Sequence, residues 1–239
     1  GMIFVFLVME LQGWLPLNPQ AVGPMRWDTA LNTAVSYVTN SNYTAYVGER
    51  DLSYLAQILG ALVQDIISPS VGLAAVVTLA RCFSRSHSPT VGNFWVDLVR
   101  GILYVWVPLS LLLVFPLIWQ GVIQTLHPYV VAHTLEGGTQ VIPAGGPVGT
   151  METFKMMAED GLAWSATHSA HPFENPTGLT HLLEMGYILF VPASITFMVG
   201  KLVKSRKTTV ALFATMVVLF ALSAPLPFFG EFHGNPILE

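Results

Sequence analysis

The residues best suited to bind a ligand form a short polar run, Thr39, Asn40, Ser41 and Asn42, directly after Val38. Their side chains are small and carry hydroxyl or amide oxygens, so the peptide backbone can approach a ligand closely. Oxygens of this kind replace the water around a monovalent cation in channel filters. The run therefore predicts a cation-binding turn, provided that it follows a short helix dipping into a membrane. An ordinary extracellular loop is the alternative interpretation of the same residues.

The composition indicates a membrane location. The 239 residues are 53% hydrophobic and only 10% charged, whereas soluble domains carry about 25% charged residues. These values exclude a disordered chain, a nucleic-acid-binding protein and an ordinary cytosolic enzyme. The single cysteine, Cys82, excludes a disulfide framework and a cysteine metal cluster. We therefore predict an integral membrane protein embedded in a lipid bilayer.

Four apolar runs are long enough to cross a bilayer core of about 30 Å, which takes roughly 20 helical residues. They cover residues 52–80, 94–120, 179–200 and 208–229. A fifth run, residues 2–11, is too short to cross alone and predicts the end of a preceding span. The first of the four contains Ser68-Pro69-Ser70, which predicts a bend.

Basic residues predict the orientation of these spans. Lys and Arg cluster in the connections at 81–100 and 201–207, which the positive-inside rule places in the cytoplasm. The long polar stretches at 12–51 and 120–180 then lie outside. Because the chain begins at Gly1 without a preceding methionine and its last apolar run ends near its terminus, we expect an internal or truncated piece of a larger membrane protein.

Each outer stretch contains a short segment of helical character, then small polar residues, then a span. Residues 52–57 align with 179–184, and the same offset of 127 places residues 31–42 on 158–169. The chain therefore predicts between one and a half and two copies of a span, short helix, polar turn, span unit. Repeats of this kind are the usual architecture of transporters and channels.

Several long motifs closely resemble one bacterial family. They read LPLNPQ at 15–20, LNTAVSYVTN at 31–40, GNFWVDL at 92–98 and HPFENPT at 171–177. In this order, and over nearly the whole chain, they are similar to the channel-like A subunit of the Kdp potassium-transporting P-type ATPase. The resemblance implies an all-α integral membrane fold of span–pore helix–span units, like those of potassium channels.

The resemblance also implies how the chain is divided. The family's A subunit is about twice this length and carries four such units, whose pore loops together form a selectivity filter; this chain would hold the first two. Residues 1–91 would contain the end of a first span, a pore loop (27–44) and a long span (52–80). Residues 92–207 would contain a span (94–120), a pore loop (150–177) and a further span (179–200). Residues 208–239 would contain the first span of a third unit, which is truncated.

By the same resemblance, the chain would be the potassium-binding and translocating subunit of an ATP-driven uptake complex in the bacterial inner membrane. Val38, Thr39, Asn40, Ser41 and Asn42 would line the ion path, and the transported K⁺ would be its only cofactor. Its partners would be a catalytic P-type ATPase subunit and a small accessory subunit. The chain has neither a Gly-rich P-loop nor an Asp-Lys-Thr-Gly motif, so no ATP-hydrolysing site is predicted within it.

The second pore loop departs from the family pattern. Of the family's glycine-rich run only Gly161 remains, after Glu159 and Asp160, while Leu162 and Ala163 replace glycines. Glycines there allow positive φ, which larger residues adopt only with strain. We expect Asp160 and Gly161 to form a weaker second wall that cannot make a normal potassium filter. The adjacent acids would favour a divalent cation.

The first loop also departs, since the family continues after Asn42 with Trp-Gln and this chain has Tyr43-Thr44. Two further functions therefore stay open: a truncated or divergent copy that does not transport, and a cation carrier independent of ATP. Asp65 and Glu184 lie within apolar spans, where an ionisable group is a candidate functional residue.

Overall fold

The structure is a computed structural model that describes residues 1–41, 43–84, 90–158 and 162–232. It is mostly helical, with one small two-stranded sheet, and confirms the all-α membrane class. The chain forms two compact regions, the first made of residues 1–74 and 95–189 and the second of residues 75–94 and 190–239.

Four helices are long and apolar enough to cross a membrane, and each covers one of the four predicted runs. They extend over Tyr54–Ser84, Phe94–Trp119, Gly178–Val203 and Arg206–Gly230. In chain order the main elements are α1 (Met2–Leu11), α2 (Trp27–Thr39), α3 (Tyr54–Ser84), α4 (Phe94–Trp119), β1 (Val130–His133), β2 (Thr139–Ile142), α5 (Val148–Ala158), α6 (Gly178–Val203), α7 (Arg206–Ser223) and α8 (Pro225–Phe232).

Helix α3 continues through the predicted bend. Pro69 removes one backbone donor from the helix, yet the helix continues through it without a break. The hydroxyl of Ser70 donates to the carbonyl of Ile66 over 2.7 Å, which adds a side-chain hydrogen bond to this turn. Wider π-helical turns occur elsewhere in the spans, at Gln57–Leu62 in α3 and Ile102–Trp106 in α4.

The core of the first region lies where α1 and α2 pack against the start of α3. Apolar residues recur along α2 at helical spacing, and Ala30, Ala34 and Tyr37 are buried as a result. Gly60 of α3 faces this contact, since the position that its Cβ would take lies 3.5 Å from Met9 and 3.6 Å from Tyr37, an ordinary packing distance.

Two glutamines have similar places in the chain, each just after an apolar helix. Gln12 follows the end of α1, and its Oε1 accepts from the backbone N–H of Ser53, just before α3, over 2.9 Å. Gln120 follows the end of α4, and its Oε1 accepts from the hydroxyl of Thr177, just before α6, over 2.9 Å. In both places, a glutamine that follows an apolar helix thus bonds to the residue just before a helix long enough to span a membrane.

The repeat alignment at offset 127 is wrong for the short helices. Helix α2 ends at Thr39 and α5 ends at Ala158, so the helix ends match at an offset of 119. The predicted pairing of residues 31–42 with 158–169 would place a helix on the non-helical residues 162–166. Different loop lengths after the two helices account for the discrepancy.

The sequence did not predict the hairpin of β1 and β2 within the outer stretch. The strands pair antiparallel, with Val130 opposite Ile142 and His133 opposite Thr139. Gly137, at φ +82°, makes the left-handed turn between them. Such short strands exposed on both faces lack a strong apolar alternation, so they leave little trace in the sequence.

The second region contains a tight connection between α6 and α7. Ser205 caps α7 by accepting from the N–H of Thr208 over 3.2 Å. Thr209 packs so closely on Gly200 that a side chain at that position would overlap it. The rings of Phe197 and Phe213 lie 5.3 Å apart and extend the contact between the two helices.

Candidate ion-binding site

The first candidate loop begins in α2. Asp28 stands in its first turn, where a negative charge favours the helix dipole, and accepts from the Nε of Arg26 over 2.8 Å. The helix ends at Thr39 and is capped by Asn40, which adopts the left-handed conformation at φ 55° and donates its N–H to the carbonyls of Ser36 and Tyr37. Asparagine tolerates this conformation better than most residues, so the local sequence explains the helix end.

Two of the predicted filter residues have a different conformation from the one expected. The sequence predicted an extended turn over residues 38–42, but Val38 and Thr39 belong to α2. Thr39 donates its hydroxyl to the carbonyl of Val35 over 2.8 Å, as helical threonines do. Asn40 and Ser41 leave the helix, and Asn42 lies outside the described residues.

Hydroxyl groups gather at this helix end. Ser41 Oγ lies 3.3 Å from both the hydroxyl of Thr39 and the hydroxyl of Ser36. The Ser41 backbone N–H also donates to the Ser36 carbonyl over 3.1 Å. Hydroxyl oxygens and the negative end of a helix dipole therefore occupy the same place, an arrangement that favours a cation.

The chain after this loop folds back on α2 through a tyrosine pair. The hydroxyls of Tyr37 and Tyr46 are hydrogen-bonded, and their rings meet edge to face with centroids 6.4 Å apart. Burial raises the pKa of Tyr46 above its ordinary value, and the charge of Asp65 acts in the same direction. Tyr46 is therefore a neutral hydroxyl that fixes the return of the loop.

The two candidate loops meet at a buried contact. Gln57 Nε2 donates to the carbonyl of Gly48 over 3.0 Å and to the carbonyl of Trp164 over 3.3 Å. Glu49 Oε2 accepts from the backbone N–H of Ala166 over 2.8 Å. The chain after the first loop is thereby fixed to the second loop.

An open cavity of about 870 Å³ lies beside this contact, within the first region. Its lining includes Arg26, Glu49, Arg50, Asp51 and Tyr129. Tyr129 donates its hydroxyl to the Glu49 carbonyl over 2.7 Å, so the segment just before β1 contributes to the lining of the cavity. The two arginines and two acids balance in charge, so the lining does not select a cation by net charge alone.

The second candidate loop follows α5 and is held by buried charges. Glu152 and Lys155, one turn apart on α5, form an ion pair with Nζ 3.0 Å from Oε1. The hydroxyl of Ser169 donates to Glu152 over 2.6 Å and accepts from Lys155 over 2.7 Å. Glu174 accepts from both the N–H and the hydroxyl of Ser165 over 2.6 Å. The helix before the loop and the chain after it are thus connected through one polar network.

This network was not predicted from the sequence. Glu152, Lys155 and Glu174 are each at most 5% exposed, although such residues are almost never fully buried without partners. A signal was present, because Glu and Lys at i and i+3 on a short, otherwise apolar helix form a neutral pair that a membrane protein can bury.

Glu159, Asp160 and Gly161, which were predicted to form the second wall, lie outside the described residues. The neighbouring Leu162 and Ala163 are buried and are not among the residues with positive φ. Within the described ranges, no group of three or more His, Cys, Asp or Glu side chains is arranged to hold a metal ion.

Burial raises the pKa of Glu152, while the Lys155 ammonium and the Ser169 hydroxyl oppose the shift. Between pH 4.5 and this raised pKa, the folded chain keeps a proton that the unfolded chain has released. Stability is therefore expected to fall as the pH rises above this value, by at most about 1.4 kcal/mol per pH unit for one group.

Glu152→Gln should flatten this part of the pH profile, measured as the free energy of unfolding in detergent at several pH values. Glu136→Gln, at an exposed site in the hairpin turn, is the matched control and should leave the slope as it is. An unchanged slope in Glu152→Gln would contradict the assignment.

Comparison with known proteins places these features in a family. The whole chain, residues 1–239, matches the family described as "KdpA: Potassium-transporting ATPase A subunit". The chain belongs to the KdpA family. The resemblance drawn from the motifs is thereby confirmed, and the helical membrane fold agrees with it.

Individual KdpA relatives match along the entire chain. It is similar to proteins named "Potassium-transporting ATPase potassium-binding subunit" from Pseudomonas aeruginosa, with 44% identity over 238 residues, and Pseudomonas putida, with 44% over 239 residues. The protein of that name from Edwardsiella ictaluri is 45% identical over 238 residues. Each alignment covers 100% of this chain and 42% of the relative, so the chain spans about two fifths of their length.

Proposed function

We propose that the chain acts within the potassium-binding and translocating subunit of an ATP-driven potassium uptake complex in the bacterial inner membrane. The match of residues 1–239 to the KdpA family carries this proposal. The geometry supports it, because two short helices, α2 and α5, each follow an apolar helix, lead into a loop and precede a helix long enough to span a membrane. The two loops are joined by Gln57 in the protein interior.

In this proposal the first ion-binding wall lies at the end of α2. The backbone around Asn40 and Ser41, the residue Asn42 and the hydroxyl of Thr39 supply oxygens to K⁺. Val38 and Thr39 contribute through the carbonyl end of the helix, whose partial negative charge favours a cation. Asp160 and Gly161 belong to a second wall on the neighbouring loop.

ATP hydrolysis is assigned to a partner. The chain lacks a phosphate-binding loop and a phosphorylation motif, so a catalytic P-type ATPase subunit would supply the energy for uptake. The relatives' name, potassium-binding subunit of an ATPase, agrees with such a division of labour. A small accessory subunit of the same complex is the second proposed partner.

A cysteine at Ser41 tests the ion-binding wall. In a Cys82→Ser background, which removes the exposed native thiol, Ser41→Cys is labelled with a bulky, membrane-impermeant reagent in vesicles. Potassium at ten times its half-saturating concentration should slow labelling about tenfold, since roughly one site in eleven stays empty. Choline should not slow it.

Leu135→Cys, at a fully exposed position in the hairpin turn, is the control and should react equally fast in both salts. Labelling of Ser41→Cys at one rate in potassium and in choline would show that this segment is a surface loop, and the proposed ion path would fail.

A second candidate function rests on the glycine-poor second loop. Leu162 and Ala163 are buried without the left-handed backbone that successive inward carbonyls need. A copy that binds potassium at the first wall without transporting it would fit this loop. Potassium protection of Ser41→Cys without rubidium flux in the same vesicles would favour this function over uptake.

A further inference from the structure

The ammonium group of Lys155 is surrounded by oxygen atoms within the protein. Its Nζ lies 3.0 and 3.2 Å from the two carboxylate oxygens of Glu152 and 2.7 Å from Ser169 Oγ. Glu174 Oε2 follows at 3.6 Å. The Lys155 side chain is only 6% exposed, so these oxygens replace the water that an ammonium ion would otherwise hold.

The oxygens around Lys155 come from both sides of the second loop. Glu152 belongs to α5, which precedes the loop, whereas Ser169 and Glu174 lie in the chain that follows it. Glu174 in turn accepts hydrogen bonds from the N–H and the hydroxyl of Ser165, which lies in the described part of the second loop. One positive charge thus connects the beginning and the end of the loop.

Carboxyl groups outnumber ammonium groups in this place. Glu152 and Glu174 both face Lys155, and each is 1% exposed. Glu174 Oε2 makes no hydrogen bond in the part of the chain that the structure describes, and the Lys155 ammonium lies 3.6 Å from it. Buried carboxylates are normally paired with a cation, so this place requires one.

We propose that Glu152, Ser169 and Glu174 form a monovalent-cation site that Lys155 fills with its own side chain. In this role Lys155 is a positioning residue: its ammonium fixes the second loop, as an ion bound between the two flanking segments would. The site is separate from the wall at Asn40 and Ser41, and its existence does not depend on transport.

The site requires a charge and not merely a hydrogen-bonding or space-filling group. A neutral side chain would leave buried carboxylates uncompensated, whereas a small free cation can enter the space left by a shortened side chain and meet the same oxygens. Ammonium is the closest free substitute for the lysine head group, and potassium carries the same single charge.

Chemical rescue of Lys155→Ala tests the proposal. The chain carries Cys82→Ser and Ala163→Cys, which places a reporter thiol at a position that is 5% exposed in the second loop. Without ammonium, the reporter thiol of Lys155→Ala should be labelled many-fold faster than that of the parent protein, and the variant should unfold at a lower temperature than the parent. Ammonium or potassium chloride should restore both values towards those of the parent protein.

Two further variants distinguish a cation site from a packing defect. Lys155→Met fills the same space without charge, so it should be as destabilised as Lys155→Ala but should not be rescued by ammonium. Lys201→Ala removes an exposed lysine from another helix and should show no change with ammonium. Tetramethylammonium chloride controls for ionic strength, because this ion is too large for the site.

Parent-like labelling and melting of Lys155→Ala, or equal stability of Lys155→Met and the parent, would overturn the proposal. So would a Lys155→Ala protein whose defects respond alike to ammonium and tetramethylammonium. If Lys155→Ala aggregates, purification in ammonium becomes the decisive measurement: recovery of folded protein supports the site, and continued aggregation overturns it.

Discussion

Gly146→Ala is expected to destabilise the first region by about 2–6 kcal/mol, because it combines backbone strain with overpacking. Gly146 has φ +106°, which an alanine adopts only at a cost. An added Cβ would also overlap the ring of Trp164, 2.6 Å from its Cη2 atom. Because the backbone of Trp164 bonds to Gln57, the substitution should move the second loop away from its contact with the first.

Gly137→Ala separates the two causes. Gly137 also has positive φ, at +82°, but nothing lies within 4 Å of the position that its Cβ would take. This variant should therefore show only the backbone part of the loss, about 1–3 kcal/mol. Chemical unfolding monitored by tryptophan fluorescence in detergent measures both. An equal loss in the two variants would mean that Trp164 is free to move and that the loop contact is weak.

Gln57→Leu is expected to cost about 1–3 kcal/mol, because a buried donor to two carbonyls is lost while the shape of the side chain is nearly kept. The carbonyls belong to Gly48 and Trp164, one on each side of the contact between the loops. The Gly48 carbonyl keeps the N–H of Leu52, so the loss falls mainly on the Trp164 carbonyl. Each unsatisfied buried group costs about 1–3 kcal/mol. The loss should be accompanied by faster labelling of a thiol at Ala163, since the second loop is held partly through Trp164.

Gln64→Leu is the matched control on the same helix. Gln64 is half-buried and makes no side-chain hydrogen bond within the ranges that the structure describes. It should change stability by well under 1 kcal/mol, as substitutions away from such contacts usually do. Similar losses in the two glutamine variants would contradict a special role for Gln57.

The spans could be predicted from the sequence because their signal is additive. Uncharged stretches such as residues 208–229 need no knowledge of their neighbours to be recognised as membrane helices. The end of α2 was predicted less well. Val38 and Thr39 are compatible with either a helix or an extended turn, and the left-handed residue that decides between them is Asn40.

The buried polar contacts were harder to predict because they depend on residues far apart in the chain. In the sequence, Gln57 is simply a polar residue within an apolar span. Its partner, Trp164, lies 107 residues away in the chain. Lys155 appeared to be one of several scattered basic residues in an outer stretch. Only folding brings Ser169 and Glu174 to its ammonium group. Such pairings leave no local periodicity for a sequence-based argument to detect.

The two glutamines that follow α1 and α4 have a consequence for synthesis. Gln12 finds its partner Ser53 only 41 residues later, and Gln120 finds Thr177 after 57. Since chains emerge from the ribosome with the N-terminus first, these two amides, buried at Gln12 and half-buried at Gln120, can be satisfied soon after the following long helix begins to enter the bilayer. Insertion can therefore proceed hairpin by hairpin, without an unpaired polar group waiting in lipid for the remainder of the polypeptide.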